Sequence, residues 1–144
     1  RFRWREEWDG AALNATLAQT LPAVLGAGAS NLGRVMAVRV TKTTPTGRVR
    51  ELVVETADAS FTVPGWRVRE VLRPSADRQL LSSMFQLREE RRGSDLVRLV
   101  AAGAGFGHGV GMCQWGAVGR SRAGQRFERI LAAYYPGTKL QRIF

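Results

Sequence analysis

The sequence predicts an α+β fold built on a curved, mostly antiparallel sheet, and three observations carry that expectation. Segments 34–43 and 48–56 alternate apolar and polar residues around the turn Thr44-Pro45-Thr46-Gly47, as two strands with one buried face do. Leu13, Leu17 and Leu21 recur at helical spacing, as do Phe127, Ile130, Leu131 and Tyr134, so helices belong near both ends. Strands come in runs, with helices inserted and appended, which favours a segregated sheet over a parallel, doubly wound one. The sheet is expected to curve, barrel-like at the limit, with a helical C-terminal segment after a glycine-rich loop.

Each element has a local reason. Residues 1–8, Arg-Phe-Arg-Trp-Arg-Glu-Glu-Trp, begin by alternating and read as a strand. Asp9 is placed to cap a helix from Gly10 to Leu21, which Pro22 and the stretch 26–33 should end. In the hairpin the inward positions are Val35, Ala37 or Val38, and Val40, facing Val49, Leu52 and Val54. Asp58 and Ala59 turn the chain into a third short strand, 60–63. Trp66–Leu72 reads as a short helix stopped by Arg73-Pro74. Segments 80–88 and 95–101 read as paired strands joined by an exposed turn, Glu89-Glu90-Arg91-Arg92-Gly93. Helices are expected over 114–123, ended by Gly124, and from Gln125 or Arg126 to Tyr135, ended by Pro136-Gly137. Residues 140–144 are expected to close as a strand. Trp4, Trp8 and Trp66 are expected in the core.

At 144 residues the chain has the length of one domain, enough to bury a core without metal or disulfide help. Its one cysteine excludes an internal disulfide. No apolar run approaches the length of a membrane span. The net charge is +10, and nearly every basic residue is Arg, Lys42 and Lys139 being the lysines. Such enrichment follows either from a GC-rich genome or from attraction to a polyanion. The arginines are scattered and no nucleic-acid-binding motif accompanies them, so nucleic acid is disfavoured as the partner.

The chemically unusual stretch is residues 105–117, Gly-Phe-Gly-His-Gly-Val-Gly-Met-Cys-Gln-Trp-Gly-Ala. It holds the chain's one His, His108, and its one Cys, Cys113. Glycine occupies every second position from Gly103 to Gly111, a pattern costly in backbone entropy. It implies sharp bends or the close approach of another surface.

This run, with Ile130–Leu140 as Ile-Leu-Ala-Ala-Tyr-Tyr-Pro-Gly-Thr-Lys-Leu, resembles the C-terminal signature of the SpoIID/LytB family of bacterial cell-wall proteins. The similarity extends through Val63-Pro64-Gly65-Trp66 to Arg69 and Leu80–Phe85, roughly the last two-thirds of the chain. It implies a single domain over 1–144, the C-terminal part of a SpoIID-like domain whose N-terminal segment is missing. It also implies a lytic transglycosylase that cuts peptidoglycan between N-acetylmuramic acid and N-acetylglucosamine, on strands stripped of stem peptides. LytB-type members imply the alternative, a non-catalytic glycan-binding or amidase-enhancing module. The implied partners are peptidoglycan glycan strands, a cell-wall amidase, and the missing N-terminal segment as a separate chain. The implied location is extracytoplasmic, at the cell wall or membrane surface, with no cofactor.

As a histidine, His108 could give or take a proton or donate a hydrogen bond to a sugar oxygen or carbonyl; the alternative is a His that ties down its loop. The expected role is orienting or polarising substrate, without serving as the acid. Cys113 can be a nucleophile, with His108 as its base, or a small packing residue. The family position is often Ser, which argues against a thiol-specific role. One His and one Cys fall short of a zinc site. Gln114 and Trp115 suit carbohydrate, the indole stacking on a pyranose and the carboxamide pairing with hydroxyl or N-acetyl groups; core packing is the alternative for Trp115. Tyr134 and Tyr135 point about 100° apart on a helix, so one is expected inward and the other toward a cleft. The substrate-binding set is thus Gly107, His108, Gly109, Gly111, Gln114, Trp115, Tyr134 and Tyr135. Glu128 reads as a surface partner of an Arg. Glycan cleavage needs a carboxylic acid at the leaving oxygen. The family places its Glu in an N-terminal helix that this chain does not match, so the acid stays unassigned.

Overall fold

The computed structural model describes residues 3–29 and 31–141. The fold is α+β, with two antiparallel three-stranded sheets and four helices among those residues. The chain divides into two compact units, one ending at His108 and one beginning at Gly109.

In the first unit, strand β1 (Arg3–Asp9) leads directly into helix α1 (Gly10–Leu25). The Asp9 carboxylate accepts from the Ala12 backbone N–H at 2.7 Å, an N-cap as the sequence predicts. Pro22 does not end the helix: α1 continues to Leu25, and Gly26, at φ 90°, closes it by donating to the Pro22 carbonyl at 2.9 Å. Proline removes the donor that Ala18 C=O would receive. Ala18 is exposed, so water can take that carbonyl and one more turn is tolerated.

Strands β2 (Val35–Thr43), β3 (Val49–Thr56) and β4 (Ser60–Pro64) form one sheet in that order. After the short helix α2 (Val68–Val71), strands β5 (Phe85–Arg92) and β6 (Asp95–Ala104) form the other sheet with β1, in the order β1-β6-β5. The sheets do not close into a barrel, which corrects the barrel-like expectation. Glu89 supplies a reason. Its carboxylate accepts from the Val38 backbone N–H of β2 at 2.7 Å and from Arg91 at 2.6 Å, while Arg91 donates to the Met36 carbonyl at 2.8 Å. Side chains therefore take edge groups that a backbone ladder would use in a closed barrel.

The same residues correct the expected turn at 89–93. Glu89–Arg92 continue β5, and the reversal is confined to Gly93-Ser94. A run of four charges looks like a loop in sequence, but an edge strand carries charges well. The core joins Leu13, Leu17 and Leu21 of α1 to Leu52, Val54, Val63, Val68, Val71, Leu80 and Leu99, all fully buried. Trp8 belongs to this core and Trp4 packs against it, whereas Trp66 is 62% exposed. Trp66 is held outside, its ring beneath the Arg67 guanidinium at 5.1 Å.

The second unit contains helices α3 (Gln114–Arg122) and α4 (Phe127–Tyr134). Ile130 is its buried apolar residue among those described, and Phe127, expected on the same inward face, is 62% exposed. Leu140 and Gln141 are not in a strand; the rest of the strand expected over 140–144 lies outside the described residues.

Candidate functional site

The glycine run divides the two demands that the sequence left open. Gly103 is paired within β6, between Trp4 and Phe85, and a Cβ there would strike the Trp4 ring and the Met84 carbonyl oxygen. Close approach is its reason. Gly105, Gly107, Gly109 and Gly111 all have φ between 73° and 85°, the left-handed region that side chains avoid. Bending is theirs.

The part of the run in the first unit is pinned by segment 81–84. Gly107 N–H donates to the Leu81 carbonyl at 2.8 Å, and Ala104 N–H to the Met84 carbonyl at 3.0 Å. Ser82, fully buried, donates from Oγ to the Ala104 carbonyl at 2.6 Å. Ser83 Oγ donates to the His108 carbonyl at 2.9 Å. Arg48, from the far end of the β2–β3 turn, donates through Nη1 to Ser83 Oγ at 3.1 Å and to the Gly107 carbonyl at 3.2 Å. Val49 N–H holds the Ser83 carbonyl at 2.8 Å. His108 is thus an exposed residue on a backbone fixed from two sides. Sequence reasoning missed Arg48 and Ser83, because nothing local separates Arg48 from the other arginines or Ser83 from an ordinary serine.

In the second unit Cys113 is the N-cap residue of α3 and is exposed, which corrects the packing role considered for it. Its carbonyl accepts from Ala117 N–H at 2.8 Å, while its side chain makes no capping bond. Gln114 is exposed, and Trp115 is 78% exposed, so the core-packing alternative for Trp115 fails. Neither tyrosine is fully buried, and Tyr135 is the C-cap residue just past α4 and not part of the helix. Tyr134 is half-buried, its hydroxyl against Gly116 and its ring 5.8 Å from the Arg120 guanidinium. Tyr135 is exposed at 40%, and its hydroxyl accepts from the Met112 backbone N–H at 3.2 Å. Tyr134 therefore braces α3 against α4, and Tyr135 ties the end of the glycine run to the end of α4.

Glu128 pairs with Arg126 at 3.4 Å, the surface role that the sequence suggests. Its Oε2 is buried and has no partner among the described residues. Among those residues, no three His, Cys, Asp or Glu side chains gather as a metal site would require.

Comparison with known proteins adds a family. The family described as a domain of unknown function (DUF8618) matches residues 1–111. The chain belongs to that family. The DUF8618 match covers the whole first unit and stops at Gly111, within the glycine run. A shorter stretch is similar to an amidase enhancer of Bacillus subtilis, 48% identical over 46 residues, 32% of this chain and 6% of that protein. Another is 45% identical over 42 residues to an uncharacterized protein of Brachyspira hyodysenteriae, 29% of this chain and 11% of that one. The chain therefore matches only a small part of the length of either relative. No helix among the described residues is long and apolar enough to cross a membrane.

Proposed function

We propose that this chain binds and helps to process the glycan strands of bacterial peptidoglycan, outside the cytoplasm, as part of a SpoIID-like lytic transglycosylase. The observation that carries this reading is Trp115, 78% exposed at the start of α3 with Gln114 exposed beside it. An indole left in water at that cost suits a sugar face, and a neighbouring carboxamide suits its hydroxyl or N-acetyl groups. His108, exposed on its fixed backbone, would orient or polarise the sugar. Gly107, Gly109 and Gly111 would let the polymer come close to the main chain. Tyr135 adds a second exposed ring, and Tyr134 braces α3 through its hydroxyl against Gly116. The similarity to the amidase enhancer supports a cell-wall role. No carboxylic acid lies within residues 103–117, so the acid for bond cleavage would come from elsewhere.

The same similarity favours a second reading, a module that holds glycan for a cell-wall amidase without cutting it. One experiment tests the shared element. The parent chain should be retained on purified, peptide-stripped glycan, and His108→Ala and Trp115→Ala should reduce that retention. Equal retention of all three would overturn the site. Adding the chain to a cell-wall amidase then separates the readings, because an enhancer raises the amidase rate without releasing sugar fragments of its own.

A further inference from the structure

Arg48 and Arg69 both donate to segment 80–83, and the proposed glycan site assigns neither guanidinium a ligand. Arg48 is half-buried and fixed by neutral acceptors, Ser83 Oγ and the Gly107 carbonyl. Arg69, also half-buried, donates from Nε to the Leu80 carbonyl at 2.6 Å, and its own carbonyl receives Leu80 N–H at 3.2 Å. Both guanidiniums are therefore held on segment 80–83, whose Ser83 grips the His108 carbonyl.

Neither makes an ion pair among the described residues, unlike Arg78 with Glu6 or Arg39 with Glu55. Glu70 is the nearby acid, and its carboxylate is engaged by Arg67 at 3.1 Å. Burial holds the Arg69 guanidinium below its ordinary range; Glu70 opposes that shift, and the charge of Arg48 adds to it. Two like charges, each partly withdrawn from water, are thus kept within each other's field. Arg48 Nε and Nη2 and Arg69 Nη1 and Nη2 make no hydrogen bond among the described residues. Planar guanidinium donors of this kind match the paired oxygens of a carboxylate or a phosphate.

We infer that Arg48 and Arg69 form an anion subsite beside the His108 backbone, which takes a carboxylate or phosphate carried by a wall polymer. The choice of polymer rests on the glycan reading; the anion chemistry does not. On a glycan, the matching group is the lactyl carboxylate of N-acetylmuramic acid, which is free only where no stem peptide is attached. With the peptide in place that carboxyl is a neutral amide. The subsite would therefore favour stripped strands by charge.

His108 is the chain's one histidine, so its imidazole NMR signals give an uncrowded reporter next to the subsite. The parent chain is titrated with four probes: neutral chito-oligosaccharide, muramic-acid glycan with free carboxylates, the same glycan with its carboxylates amidated, and a glycerol-phosphate polymer. The parent should bind the free-carboxylate glycan roughly tenfold more tightly than the amidated form, the scale of one charge-assisted pair. Arg69→Gln should erase that preference and leave chito-oligosaccharide binding unchanged. Arg48→Lys, which keeps charge without the planar fork, should weaken the preference and serves if Arg69→Gln fails to fold. Phosphate binding lost in these variants, without glycan binding, keeps the subsite and rejects the glycan reading. Equal binding of all the glycans rejects the subsite and keeps the glycan reading. A preference that survives both substitutions also overturns the subsite, and binding of no probe overturns both proposals.

Discussion

Up to His108 the chain buries side chains from every strand and both helices in one continuous core, with Leu17, Leu21, Leu52, Val54 and Leu80 completely enclosed. From Gly109 onward, Ile130 is the buried apolar residue among those described, while Val110, Met112, Trp115, Phe127, Tyr135 and Leu140 are 40–78% exposed. The first unit derives its shape from the hydrophobic effect over long sequence separations. The second depends on single contacts and backbone bends: left-handed glycines, a tyrosine hydroxyl on a backbone N–H, and a guanidinium over a ring. The aromatic surface that the second unit leaves in water is what the proposed glycan site would use. A region with a closed core is built to hold a loop still.

Stability should be correspondingly uneven. Leu52→Ala, in the closed core, should cost about 2–5 kcal/mol in urea denaturation, whereas Ile130→Ala should cost clearly less. Equal losses would mean that the second unit has a core as strong as the first. Gly103→Ala forces a methyl group into the Trp4 ring and the Met84 carbonyl and should cost about 1–3 kcal/mol. A melting temperature like that of the parent would remove close approach as the reason for that glycine. Trp115→Ala should change stability by no more than about 0.5 kcal/mol, while retention on glycan falls several-fold. A large stability loss would make Trp115 structural and dissolve the contrast between the units.

The smallest effect concerns pH. Hydrogen bonds from Lys42, then Thr41, hold the Glu51 carboxyl below its ordinary range. A depressed folded-state value gives stability that is complete above the unfolded-state range and lost as pH falls through the folded one. Lys42→Met should therefore lower the urea midpoint slightly at neutral pH, leave it nearly unchanged in strong acid where Glu51 is protonated, and so flatten the acid side of the profile. A change in acid as large as that at neutral pH would contradict that linkage.

The periodic segments were legible because each expresses one dominant force. Leu13, Leu17 and Leu21 face the core as their spacing predicts, Asp9 caps α1, and β2–β4 follow their alternation. The errors fall where a partner distant in sequence decides. Glu89–Arg92 looked like a turn because the Val38 N–H that Glu89 accepts from is 51 residues away. Trp66 looked like core because hydrophobicity carries no information about which side of the sheet a loop passes. Pro22 looked like a stop because exposure of the Ala18 carbonyl cannot be read from proline itself.

By itself, then, the sequence determined the α+β class, the hairpin, the helix faces and the glycine run as a special backbone, because these follow from local periodicity and local φ preference. Tertiary structure alone decided that the sheets stay open, that Arg48 and Ser83 fix the backbone at His108, and that Trp115 stands in water. Those outcomes depend on which distant groups meet and which are left to solvent, and neither spacing nor composition encodes that.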